Sequence, residues 1–143
     1  MSDNNLEITT YEGEGYFPLV NFETWRVAFL RFSVNQAPPH ITSMERHLET
    51  DEIFVLLTGQ ALLFTAGTGE KPAELAAELM QPCKLYNVKR ALWHATVLSQ
   101  AATVLIVENQ NTSPENSAFA DLTSEQRTAL HDAVNANLPT WWM

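Results

Sequence analysis

The chain reads as an all-β protein, a sandwich or barrel followed by one helix. Two observations predict this: short apolar or alternating runs recur along most of the 143 residues with turn-rich pieces between them, and a capped helical pattern stands only near the C-terminus. Trp25 to Val34 is rich in aromatic and branched residues and stops at Pro38-Pro39, which cannot continue a ladder. Ile53–Leu57 and Ala61–Thr65 flank Thr58-Gly59-Gln60, so they read as two strands joined by a tight turn with Gly59 as its pivot. Residues 66–72, Ala-Gly-Thr-Gly-Glu-Lys-Pro, form a loop by composition, one expected to be mobile. Ala73 to Met80 has helical composition, yet a strand over 75–80 suits the surrounding pattern better. Lys84–Val88, Trp93–Leu98 and Thr103–Glu108 supply three more strands, the last two expected as a hairpin. Past Asn109 the composition turns polar; Thr123 with Gln126 makes a capping-box pattern, Leu130 and Val134 recur at helical spacing, and Pro139 ends the helix.

Size and composition bound the rest. The length matches one ordinary domain with a core of its own. A lone cysteine, Cys83, excludes an internal disulfide and reads as a small buried hydrophobe. Residues 1–5 lack the basic and apolar regions of a secretory signal, so a cytoplasmic location is expected. A formal charge of -9 and a pI near 4.7 argue against nucleic-acid and anionic-membrane partners. The longest apolar runs are far shorter than the about 20 residues a spanning helix needs, so no transmembrane segment is expected.

The chemistry concentrates in residues 45–59. Glu45 and His47 stand two apart, which on a strand puts both side chains on one face, and the run continues as Glu-x-His-x4-Glu-x6-Gly through Glu52 and Gly59. This closely resembles the first motif of the cupin family, His-x-His-x(3-4)-Glu-x6-Gly, with glutamate in place of the first histidine. The second motif, Gly-x5-Pro-x-Gly-x2-His-x3-Asn, has its best match at residues 89–94, where the histidine is His94 while Lys89, Ala91 and Leu98 replace Pro, Gly and Asn. The resemblance implies a cupin-type double-stranded β-helix, a jelly-roll barrel over roughly residues 20–110 with a C-terminal helix over about 123–136, in a single domain spanning 1–143.

It also implies that the two motifs face each other inside the barrel and gather Glu45, His47, Glu52 and His94 around one point, a candidate metal site. Mixed imidazole and carboxylate ligands suit manganese, iron, nickel or zinc, with oxygen-rich sets leaning toward manganese, and no organic cofactor is indicated. Glu45, His47 and His94 are the candidate catalytic groups. Glu45 has the alternative roles of base or ion-pair partner of Arg31, Lys89 or Arg90, and Glu52 that of a turn cap. Lys89 or Arg90 is expected to hold a ligand carboxylate, and His40 to border the same rim, either as a substrate contact or as a plain loop histidine. His131 is expected to face water, and Glu49 with Asp51 to form a solvated acidic loop.

Within the family, the tract around Glu45-Arg46-His47, Glu52-x-Phe54 and Leu57-x-Gly59, with Trp93-His94, is similar to ureidoglycolate lyases, although Glu52 stands where those enzymes carry glutamine. This would imply release of urea from a carbinolamine. The leading expectation is a metal-dependent small-molecule enzyme acting on a polar organic acid or related metabolite. The alternatives are a non-catalytic ligand-binding or structural dimer, and a sugar isomerase or epimerase on the same barrel. A homodimer is expected, since cupins often pair through edge strands. Trp141-Trp142 at the terminus should find a partner surface or a dimer mate.

Overall fold

The computed structural model describes residues 5–143, and these form ten strands and one α-helix. The strands are β1 (Gly15–Phe22), β2 (Trp25–Arg31), β3 (Ser43–His47), β4 (Glu52–Thr58), β5 (Ala61–Thr65), β6 (Ala76–Leu79), β7 (Tyr86–Val88), β8 (His94–Leu98), β9 (Thr103–Asn109) and β10 (Ser117–Asp121); the helix is α1 (Ser124–Asn137). One five-stranded sheet runs β1-β2-β9-β4-β7 and the other β10-β3-β8-β5-β6, with every paired strand antiparallel. From β2 to β5 and from β6 to β10 the chain changes sheet at each step, which is the jelly-roll arrangement expected from the motif.

Alternation along these strands creates two separate cores. Ala61, Leu63, Leu98, Val104, Leu56 and Met80 point between the sheets and close one end of the sandwich. Leu62, Phe64, Val97 and Met44 point the other way, onto Leu130 and Val134 of α1 and Leu138 just after it. The capping box holds as drawn from sequence: Gln126 N donates to Thr123 Oγ1 and Thr123 N to Gln126 Oε1. Gln126 Nε2 also donates to the carbonyls of Pro72 and Ala73, which joins the helix start to the 66–73 loop.

Several expectations change. β8 and β9 lie in different sheets and make no hairpin. The barrel starts at Gly15 and runs to Asp121, wider than residues 20–110, because β1 and β10 add an edge strand to each sheet. The 66–72 loop is fastened: Trp93 N donates to Gly67 O, Trp93 Nε1 to Gly69 O, and the Arg46 guanidinium reaches the carbonyls of Thr68 and Gly69 while lying 4.5 Å over the Trp93 ring. Cys83 is exposed with φ 67° in a turn, so it packs against no core. His131 is half-buried rather than turned to water. Trp141 stacks on Phe32 with ring centroids 6.2 Å apart and joins the helix core, whereas Trp142 is exposed.

The outer face of the β1-β2-β9-β4-β7 sheet is apolar where an exposed antiparallel face would normally alternate to polar residues. The register aligns Val20, Val27, Val107 and Ile53 in one row across four strands, and Phe17, Phe29, Leu105 and Val55 in the next. No helix among the described residues is long and apolar enough to cross a membrane.

Two turns differ in how well their residue suits the backbone. Gly59 has φ 70°, and a Cβ there would stand 2.5 Å from the Ala102 backbone. Ala91 has φ 72°, at the place where the second motif carries glycine. A side chain in this region costs about 1–2 kcal/mol. Gly59→Ala should therefore lower stability by at least about 2 kcal/mol, strain and clash adding, while Ala91→Gly should be neutral or stabilising by up to about 1 kcal/mol; denaturant unfolding of the two variants checks both signs.

Candidate metal centre and cavity

The inward-facing positions of four strands are polar at one end and apolar at the other. They read Arg26-Ala28-Leu30 on β2, Glu52-Phe54-Leu56 on β4, His94-Thr96-Leu98 on β8 and, in reverse, Val104-Ile106-Glu108 on β9. The apolar ends close the floor, and the polar ends line a cavity of about 590 Å³. β3 adds Glu45 and His47, which share a face as their spacing requires, while Met44 and Arg46 turn to the other side. Pairing of β3 with β8 sets Glu45 opposite His94.

Glu52 lies at the centre of the polar end. It begins β4, is 5 % exposed, and its Oε1 stands 3.1 Å from His47 Nε2 and 3.0 Å from His94 Nε2. His47 Nε2 is also 4.0 Å from Glu45 Oε1. The tautomer of His94 follows from its other nitrogen. Nδ1 is 3.0 Å from the Leu92 carbonyl, which only accepts, so Nδ1 carries the hydrogen. In the neutral ring Nε2 is then a bare lone pair aimed at a carboxylate oxygen. Such a contact repels unless a cation or a proton lies between the two atoms. His47 Nδ1 pairs with Ser117 Oγ at 2.8 Å, a partner that fits either tautomer. His47 Nε2 and Glu52 Oε1 are both buried with no hydrogen-bond partner: the approach is close but not aligned.

These distances fit a metal ion. Adjacent ligands on an octahedral ion with bonds of about 2.1 Å stand about 3.0 Å apart. Two overlapping groups have ligand atoms within 4.8 Å of one another, Glu45 with His47 and His94, and His47 with Glu52 and Glu108. The two groups share His47 and so overlap in one candidate centre. Both imidazoles are oriented through Nδ1 by a second partner, as metal-bound histidines usually are.

The electrostatics tell the same story. Burial would push the Glu52 carboxyl up, but the imidazoles of His47 and His94 outweigh it and bring the carboxyl down to about 2. Burial opposes protonation of His94 and His47, and Glu52 overcomes it, so both are raised above the usual histidine value. Glu108 is raised, by burial first and then by neighbouring Glu52, even though Tyr16 and Arg26 donate to it. Burial and the contact with Glu108 likewise push the Tyr16 hydroxyl up.

All four motif residues, Glu45, His47, Glu52 and His94, border the cavity. His40 borders it too, as an exposed side chain at the end of the 38–40 turn. Lys89 and Arg90 do not: they belong to the exposed turn that Asp51 caps by accepting from Arg90 N at 2.8 Å. That bond also holds the Asp51 carboxyl below the usual range, so Asp51 is a structural cap rather than only a solvated acid. A further ionisable cluster at the cavity lies outside both motifs. Arg26 and Glu108 face each other across β2 and β9 and pair at 2.6 Å, and Tyr16 donates to the same Glu108 oxygen. For Arg26 and Glu108 the signal in the sequence is a charge that ends the inward phase of an otherwise apolar strand.

No protein-family model matches the chain, and neither does any curated protein. Solved structures do. CapF in complex with the inhibitor 3-isopropenyl-tropolone aligns over 80% of this chain with a TM-score of 0.55 at 11% identity, and the capsular polysaccharide assembling protein CapF from Staphylococcus aureus over 77% at 0.50 and 13%. The alignments cover 34% and 33% of those chains, so this protein spans about a third of CapF. A cupin-2 domain containing protein from Shewanella frigidimarina aligns over 70% of this chain and 85% of its own, with a TM-score of 0.50 at 11% identity.

The sign of the pH dependence follows from these shifts. The pairs of His47 and His94 with Glu52 stabilise the metal-free protein fully below the ordinary histidine value near 6.5, and that contribution is lost as pH rises through their raised folded values. Glu52 contributes above its ordinary value near 4.5 and is lost as pH falls toward about 2. Metal-free protein should therefore melt highest between about pH 4.5 and 6.5 and lose stability above neutrality. Metal affinity should rise over that same alkaline limb, because the ion must displace imidazole protons; melting curves and metal titrations across pH 4 to 9 check the opposed trends.

Proposed function

We propose that this chain, whose fold is the cupin fold, is a metal-binding small-molecule protein and an enzyme acting on a polar metabolite. The observation that carries the reading is the facing of His94 Nε2 and Glu52 Oε1 at 3.0 Å in a buried, concave site. His47, His94, Glu52 and Glu45 would hold the ion, with manganese, iron, nickel or zinc as candidates. When bound, it supplies a Lewis acid that polarises a ligand oxygen. Glu45, with its side chain 42% exposed at the mouth, is placed to take or return a proton at a ligand hydroxyl, and Ser117 and the Leu92 carbonyl hold the imidazoles in orientation. Phe54, edge-on to His94 at 6.0 Å, keeps water from the inner side of the site.

The placement of the basic residues favours one class of chemistry over another. A lyase of the ureidoglycolate type needs a group for its substrate carboxylate, and Lys89 and Arg90 lie outside the cavity. Isomerase or epimerase chemistry on a hydroxylated substrate asks for no such group. Protein purified without chelator should carry near-stoichiometric metal by mass spectrometry, and His47→Ala/His94→Ala should lose it while keeping its circular dichroism. A metal-free wild type, even after each ion is offered, would leave metal-free acid-base chemistry or ligand binding as the reading.

The apolar outer face of the β1-β2-β9-β4-β7 sheet supports a homodimer formed by packing two such faces, with Val107 and Phe29 near the centre. Light scattering should give twice the 16.1 kDa chain mass, and Val107→Lys should return it to one chain.

A further inference from the structure

Arg26 is the one lysine or arginine among the described residues that borders the cavity; its two terminal nitrogens are already engaged, and Nε alone is buried without a hydrogen-bond partner. Its NH2 donates to Glu108 Oε2 at 2.6 Å and to Thr112 O at 3.3 Å, and its NH1 donates to Gln110 O at 3.2 Å. The side chains are 15% and 3% exposed, and Tyr16 donates to the same carboxylate oxygen. The register of β2 and β9 fixes this pair before any ligand arrives. A ligand carboxylate reaching for Arg26 would have to displace one that is covalently part of the wall and has no translational entropy to lose.

The rest of the polar end disfavours an anion as well. Glu45, Glu52 and Glu108 face one guanidinium, and a divalent ion only brings that set to formal neutrality. Elsewhere the mouth offers uncharged groups that both donate and accept, among them Asn35, Gln36, Thr42, Ser43, Thr112 and Ser113. We propose that Glu108 is a built-in counterion that occupies Arg26 and sets the cavity against carboxylate ligands, so that the site takes an uncharged polyhydroxylated molecule, a sugar or polyol. The inference rests on the metal-dependent reading of the same cavity and names its ligand class.

The test is calorimetric titration of wild-type protein, with its metal content measured first, using D-glucose and xylitol as neutral probes and glycolate and succinate as carboxylates. Metal content alone judges the metal-dependent reading; the ratio of affinities judges this one. The expected result is a neutral probe bound at least tenfold more tightly than either acid. Glu108→Gln, which keeps an acceptor for Arg26 and Tyr16 but removes the charge, should shift the ratio of carboxylate to neutral binding at least tenfold toward the acids, compared with wild type at equal measured metal content. Equal or tighter binding of the acids by wild type, no binding of either neutral probe at millimolar concentration, or an unchanged preference in a folded Glu108→Gln variant would overturn the proposal. The wild-type comparison decides even where the variant does not fold.

Discussion

The close facing of Glu52 with His47 and His94 is the constraint on which the site depends. A buried carboxylate is costly unless something positive answers it, and no lysine or arginine ion pair or hydrogen bond answers Glu52 among the described residues. The two imidazoles supply the compensation: His47, whose Ser117 partner fits either tautomer, can also donate from Nε2 as a neutral ring, whereas His94 can answer Glu52 only as an imidazolium or by sharing a cation. The Leu92 carbonyl removes the third option for His94, a neutral ring with its hydrogen on Nε2. On the proposed metal-binding reading, the same three side chains would exchange protons for a metal ion, which would make the protein's acid-base behaviour and its ligand chemistry one property.

That triad is held by long-range structure. Glu52 opens β4 in one sheet, while His47 ends β3 and His94 opens β8 in the other, so the three atoms meet only when the sheets pack. What sets the packing distance is the apolar floor of Leu56, Leu63, Leu98 and Val104. Continuing the same alternation toward the other end of each strand places polar groups where the floor stops. Outside the β10-β3-β8-β5-β6 sheet, α1 and the fastened 66–73 loop cover the reverse of β3 and β8. Arg46, one residue from His47, is spent on that reverse side against Trp93.

Much of this was legible in the residues. The Glu-x-His spacing put Glu45 and His47 on one face, and the run through Gly59 marked a left-handed turn that the backbone adopts. Residues 75–80 went to strand against their helical composition because pairing with β5 outweighs intrinsic preference. What the sequence hid has physical causes. β1 is an edge strand broken by Pro18, and β10 is five short residues after a proline, so neither shows a clean alternation. Lys89 and Arg90 are near His94 in sequence, yet the left-handed Ala91 turns the chain between them and swings both outward. The Arg26–Glu108 pair joins residues 82 apart, and only sheet register could announce it.

The charge distribution then follows from two choices of residue type. Where the resembled motif has a third imidazole this chain has Glu45, and where β9 could have ended in another apolar residue it has Glu108. Both changes place negative charge beside His47. A divalent cation gains from each of them, whereas an anion entering the cavity loses, and the low-dielectric floor beneath Phe54 and Ile106 strengthens both effects. Arg26 offsets part of this charge, but only as the fixed partner of Glu108, so it steadies the wall without becoming a binding group. On the proposed reading, a site built this way would hold a metal through charge and recognise its ligand through uncharged hydrogen bonds and shape.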